Sequence, residues 1–180
     1  MTASHTPTTK LQGHGAPVLY LDFDGVLHPE DVWRHPVKGI YLGLGGAGHQ
    51  LFENVQLLQD LLAPYPQVSI VLSTSWVRVL RFSAAKSHLP PGLASRVVGA
   101  TFHSQMDDAA WSDLPRGKQV ERDVARRQPS AWVAIDDTDE GWSGSAGSHL
   151  VLTDPVDGIR NADVLARLQA VLSANFGNPA

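Results

Sequence analysis

Four consecutive apolar residues, Val18 to Leu21, run without a break into Asp22, Phe23, Asp24 and Gly25. A continuous apolar run of that length, with no polar alternation, suits a strand buried on both faces. Acids are costly to bury without a partner, so the carboxylates mark the point where the strand leaves the core. The same punctuation recurs twice. "VSIVL", Val68 to Leu72, ends in Ser73, Thr74 and Ser75, and "AWVAI", Ala131 to Ile135, ends in Asp136 and Asp137. Two further short runs, within "RVVGATF" and "SHLVLT", add strands near Val97 and Leu150.

Helical spacing separates these strands. In "HQLFENVQLLQDLLAPYP", Leu51, Val55, Leu58 and Leu62 share one face, and Pro64 and Pro66 close the segment. "GKQVERDVARR" from Gly117 reads as a second helix. A third spans about 162–175, with Val164, Leu165, Leu168, Val171 and Leu172 as its core stripe. Strands alternating with helices predict an α/β fold: a doubly wound, mainly parallel, Rossmann-like sheet with helices on both faces. Residues 1–16 are polar and aperiodic and are expected to form a flexible tail, leaving 17–180 as one domain.

Composition narrows the chemistry. The 180 residues include no cysteine, which excludes disulfides and thiolate zinc sites. A net charge of −4 advertises no nucleic-acid partner. No apolar run is long enough to cross a bilayer, and no leader is recognisable, so no membrane role and a cytoplasmic setting are expected. Nothing in the sequence implies an obligate protein partner.

In open parallel sheets ligands collect beyond the carboxyl ends of the strands. Asp22, Asp24, Asp136 and Asp137 would converge there, an oxygen-only donor set that suits magnesium better than zinc. Such a cation would quench repulsion among the acids and leave one of them free as a nucleophile. Ser73, Thr74 and Ser75 offer hydroxyl donors. Lys118 sits at a helix start, where the dipole disfavours a cation, so a functional use is expected of it. Acid, hydroxyl, lysine and metal together are equipment for phosphoryl transfer. A signalling receiver uses similar parts in another order, with adjacent acids first. Here the spaced pair opens the chain and the adjacent pair follows the lysine. A phosphotransferase to a sugar acceptor would carry the same residues.

In chain order, "DFDGV", "VLSTS", "GK" and "AIDD" resemble the four motifs of the haloacid dehalogenase superfamily of phosphohydrolases. "DFDGVLHP" and "STSW" are similar to the phosphatase domains of RNA-repair enzymes, in which an arginine directly follows the tryptophan; here Val77 stands between Trp76 and Arg78. The resemblance implies a phosphatase in which Asp22 is the nucleophile that becomes an aspartyl-phosphate. Asp24 would protonate the leaving oxygen and then take a proton from water, a role that asks it to hold a proton at rest. Thr74 would hold the phosphoryl group, with Ser73 and Ser75 as deputies, and Lys118 would neutralise the nucleophile and the phosphate. Mg2+ would bind the Asp22 side chain, the Asp24 backbone carbonyl and Asp137, with Asp136 in support. Arg78 and His28 are expected at the substrate. The segments between the motifs are too short for a large cap domain. An open site follows, suited to a nucleotide, a nucleic-acid end or a phosphoprotein.

Overall fold

The structure is a computed structural model that describes residues 11–177. Five parallel strands form the central sheet, and a separate two-stranded hairpin stands beside it. In chain order the strands are β1 (Val18–Leu21), β2 (Val32–His35), β3 (Gly39–Leu42), β4 (Ser69–Leu72), β5 (Val97–Ala100), β6 (Trp132–Asp136) and β7 (Leu150–Leu152). The helices are α1 (Val55–Leu62), α2 (Trp76–Leu80), α3 (Phe82–Lys86), α4 (Pro91–Ala94), α5 (Asp108–Ser112), α6 (Arg116–Arg127) and α7 (Ala162–Phe176). The sheet order is β5-β4-β1-β6-β7, with β1 at its centre.

Both faces of the sheet are covered, as the apolar runs predict. Leu19, Leu21, Ile70, Leu72, Val133 and Ile135 point into the larger core, where they meet Leu58 and Leu62 of α1 and Leu168 and Leu172 of α7. The alternate residues Val18, Tyr20, Val71 and Ala134 face Val120 of α6. Every residue of β1 is therefore buried. Period-two geometry sends neighbouring side chains to opposite faces, so a strand covered twice has no room for polar alternation.

Register then decides where the chemistry lands. Leu21 pairs with Leu72 on one side and with Ile135 on the other. The next residues, Asp22, Ser73 and Asp136, leave the sheet side by side. Their backbones are still tied: Asp22 N–H donates to Ile135 O at 3.1 Å and Ser73 N–H to Leu21 O at 2.8 Å.

Several elements differ from the sequence expectation. The helix expected from about Leu51 begins at Val55, because residues 51–54 form a turn in which Phe52 has φ +60°. The hairpin β2-β3 was not foreseen; it is the small lobe that occupies the place where a cap domain would be inserted. Between β4 and α6, the expected strand β5 is present, and four short helices, α2 to α5, stand around it where none was foreseen from period. Of the expected tail, residues 1–10 lie outside the described residues. Residues 11–16 form a turn fastened to α6: Gly15 N–H donates to Arg127 O at 3.2 Å, and the Arg127 guanidinium donates to Gln12 O. Arg127 itself is buried in a network with Asp123 and the Tyr20 hydroxyl.

Candidate active site

Three carboxylates meet at the carboxyl edge of the sheet. Oxygen atoms of Asp22, Asp136 and Asp137 all lie within 4.8 Å of one another. Asp22 and Asp136 are buried, and Asp137 is partly so. The backbone is shaped to allow this approach. Gly25 has φ +64°, and a Cβ there would lie 2.3 Å from the Asp137 carboxylate, so only glycine lets the first loop pass.

Among the described residues one cation reaches the cluster, and it is not the lysine expected. Arg116 donates to Asp22 Oδ2 at 2.9 Å and to Asp136 Oδ2 at 3.3 Å. Lys118 instead pairs with Glu121 at 2.7 Å, with Ser143 Oγ at 3.4 Å, and its side chain is 42% exposed. Helix geometry explains the exchange: two residues further along α6 is a rotation of about 200°, so Arg116 and Lys118 face opposite ways. The helix start is locked in that rotation. A Cβ on Gly117 would lie 2.5 Å from the Gly141 backbone, and Gly117 N–H donates to Glu140 O at 3.0 Å. The dipole misfit noted for Lys118 applies equally to Arg116, the first helical residue, and "PRGK" carried both candidates.

The hydroxyls separate too. Thr74 bonds to Asp22 through its side chain and lines a cleft of about 210 Å³ with Ser75, Arg78, Arg116, Gln119 and Glu140. Ser75 donates to Asp24 Oδ2 at 3.4 Å. Ser73 departs from expectation: its hydroxyl is buried, has no hydrogen-bond partner among the described residues, and lies outside this cleft. Arg78 lines the cleft but spends its Nε on Asp108 Oδ1, 2.7 Å away.

Asp24 turns away from the other acids. Its Oδ1 accepts from Trp76 Nε1 at 2.7 Å and from His28 Nε2 at 3.1 Å. His28 is fully buried, so the expected substrate contact is corrected. Its Nδ1 accepts from Phe52 N–H at 3.3 Å, which leaves the proton on Nε2, facing Asp24. Phe52 packs edge to face on the imidazole and Trp76 lies tilted against it, and Phe23 in turn packs edge to face on both. Nothing adjacent in sequence announces this role, since Phe52 and Trp76 come from other elements. With Oδ1 filled by two donors, Oδ2, which meets only the long 3.4 Å contact from Ser75, is the oxygen left to exchange a proton.

The electrostatics call for a further cation. Burial pushes the Asp22 and Asp136 carboxyls up, each worsened by a neighbouring acid and only partly relieved by Arg116. Asp137 is raised to about 7, again chiefly by burial and then by Asp22. Three acids face a single guanidinium, a deficit that a divalent ion matches. The oxygen-only donors fit a hard cation such as magnesium. A stability consequence follows with a definite sign. In the unfolded chain these acids ionise near 4, whereas the folded protein retains their protons. The native state therefore binds more protons, and stability falls as pH rises from about 4 through 7 and beyond. Thermal melting in chelator is expected to show Tm dropping across that window, and millimolar Mg2+ to flatten the slope.

A parallel α/β sheet with two acid-tipped strands, a hydroxyl-tipped strand and a cation on the following helix defines the class of haloacid dehalogenase folds. Residues 18–164 match the family model of the HAD domain in Swiss Army Knife RNA repair proteins, and the chain belongs to that family. No curated protein and no solved structure matches it. Membership supports an activity of the phosphatase type. No helix among the described residues is long and apolar enough to cross a membrane.

Proposed function

We propose that this protein is a magnesium-dependent phosphomonoester hydrolase that works through an aspartyl-phosphate on Asp22. The observation that carries the reading is the contrast between its two leading acids: Asp22 faces Arg116, Thr74 and the other carboxylates, while Asp24 is held apart by neutral donors. One acid is thus suited to attack and the other to move a proton.

In the first half-reaction an oxygen of Asp22 forms a bond to phosphorus. The bond from phosphorus to the leaving oxygen breaks, and that oxygen takes the Asp24 proton. Thr74 and Arg116 hold the phosphoryl oxygens. In the second half, Asp24 takes a proton from water as its oxygen attacks phosphorus, releasing phosphate and freeing Asp22. Asp22, Asp136, Asp137 and the Asp24 backbone carbonyl would hold magnesium. Bound there, it supplies charge that offsets the carboxylates and the phosphoryl oxygens.

The absence of a large cap favours substrates too bulky for a closed chamber, with nucleotides and nucleic-acid ends first among them and phosphoproteins next. Phosphate release is the test, measured with and without Mg2+ on an aryl phosphate, mononucleotides, a phosphopeptide, and oligonucleotides phosphorylated at either end. Mg2+-dependent release into plain buffer is expected, with oligonucleotides preferred to mononucleotides. Release only when a sugar acceptor is added would mark a phosphotransferase instead.

A further inference from the structure

A second, smaller cleft opens on the far side of Ser75 from the phosphoryl-holding residues. Its volume is about 110 Å³, and its walls include Asp24, Ser75, Trp33, Arg34, Ile40 and Val79. Thr74 and Arg116 line only the neighbouring cleft, and Asp24 lines only this one. On the phosphatase reading, the leaving group that Asp24 serves would extend into this cleft. The floor is apolar, while the rim is the hairpin β2-β3.

Two rim residues offer contacts to a ligand. Trp33 is 58% exposed, yet its indole is already fixed: Nε1 donates to Asp31 Oδ1 at 2.6 Å, and the other oxygen of Asp31 accepts from Gly45 N–H at 2.7 Å. A large apolar ring held in water before any ligand arrives loses little entropy on binding. The Arg34 side chain is exposed and has no hydrogen bond or ion pair among the described residues, which leaves its guanidinium free for a ligand. At about 110 Å³ the cleft is smaller than the apolar cavity of about 150 Å³ that takes up benzene, so a ring would rest at its mouth against the exposed Trp33. Asp24 and Arg34 line the same small cleft, so an anion recognised by Arg34 and the leaving oxygen served by Asp24 would belong to one bound molecule.

We infer that this cleft is a leaving-group subsite, selecting phosphomonoesters whose leaving group carries an aromatic ring and a second anion, with Trp33 against the ring and Arg34 on the anion. The inference rests on the phosphatase reading and names the substrate class for that site. A guanidinium accepts either phosphate or carboxylate as that anion, bidentately in both cases.

The test compares ratios of kcat/KM, so that general damage cancels. The substrates are methyl phosphate, phenyl phosphate, 4-carboxyphenyl phosphate, its uncharged carboxamide, and the 1,4-bisphosphate of hydroquinone. Trp33→Ala is expected to lower the phenyl-to-methyl ratio about tenfold, in line with the value of one stacked ring. Arg34→Ala is expected to lower the carboxylate-to-carboxamide ratio by a similar factor, and the bisphosphate arm shows whether phosphate or carboxylate is the better anion. Ratios that stay at the wild-type value in both variants overturn the subsite. If the wild-type protein releases phosphate neither from these nor from the nucleotide, oligonucleotide and phosphopeptide panel, the phosphatase reading fails. The subsite is then judged by ligand-observed NMR with 4-hydroxybenzoate, whose signal with wild-type protein should be lost with Arg34→Ala. Equal signals from the two proteins would overturn it.

Discussion

Asp22→Asn is expected to abolish turnover, lowering kcat by at least about a thousandfold, because the amide cannot act as the attacking oxygen. The same variant should fold at least as well as the parent. Its carboxyl is buried and raised by desolvation and by neighbouring acids, so removing its charge relieves repulsion. In chelator at pH 8 the variant should melt no lower than wild type. A dead but stable protein separates a chemical role from a structural one. Retained activity would refute the assignment of Asp22 as nucleophile.

The second large effect distinguishes the two cations at the start of α6. Arg116→Ala is expected to lower kcat/KM by about two to three orders of magnitude, as the loss of a charge aimed at the transition state does. Lys118→Ala should change it by less than about threefold, since its ammonium pairs with Glu121 at the surface. Arg116→Ala also leaves three acids with no guanidinium among them. Its Tm in chelator should therefore fall more steeply with pH than the wild type's. Steady-state kinetics on one aryl phosphate, with melting curves for both variants, decides the matter. The reverse ranking would return Lys118 to the site.

Much of this architecture was legible in the sequence because buried parallel strands leave no choice of composition. Val18–Leu21 and Ile70–Leu72 are continuous apolar runs for one physical reason: both faces of each are covered. Their ends are legible for the converse reason, since Asp22 and Asp136 cannot be read as core residues without a partner. What stayed hidden depends on rotation or on distant neighbours. Whether Arg116 or Lys118 faces inward turns on how α6 is seated against Gly141, which no local pattern records. His28 looks like a loop histidine until Phe52 and Trp76 close over it and its proton is directed to Asp24. The Ser73 hydroxyl and the Thr74 hydroxyl are adjacent in sequence, yet only the second reaches Asp22. The hairpin and the helices α2 to α5 are each four or five residues long, too short for a period to emerge.

The covalent step can be read directly. Protein mixed with substrate and Mg2+ is quenched in acid within a turnover, reduced with borohydride, digested and examined by mass spectrometry. An acyl phosphate on Asp22 is reduced to homoserine, so the peptide containing Val18 to Leu27 should carry that conversion at position 22 alone. Its absence during demonstrable turnover, or its appearance at Asp24, Asp136 or Asp137, would contradict the mechanism.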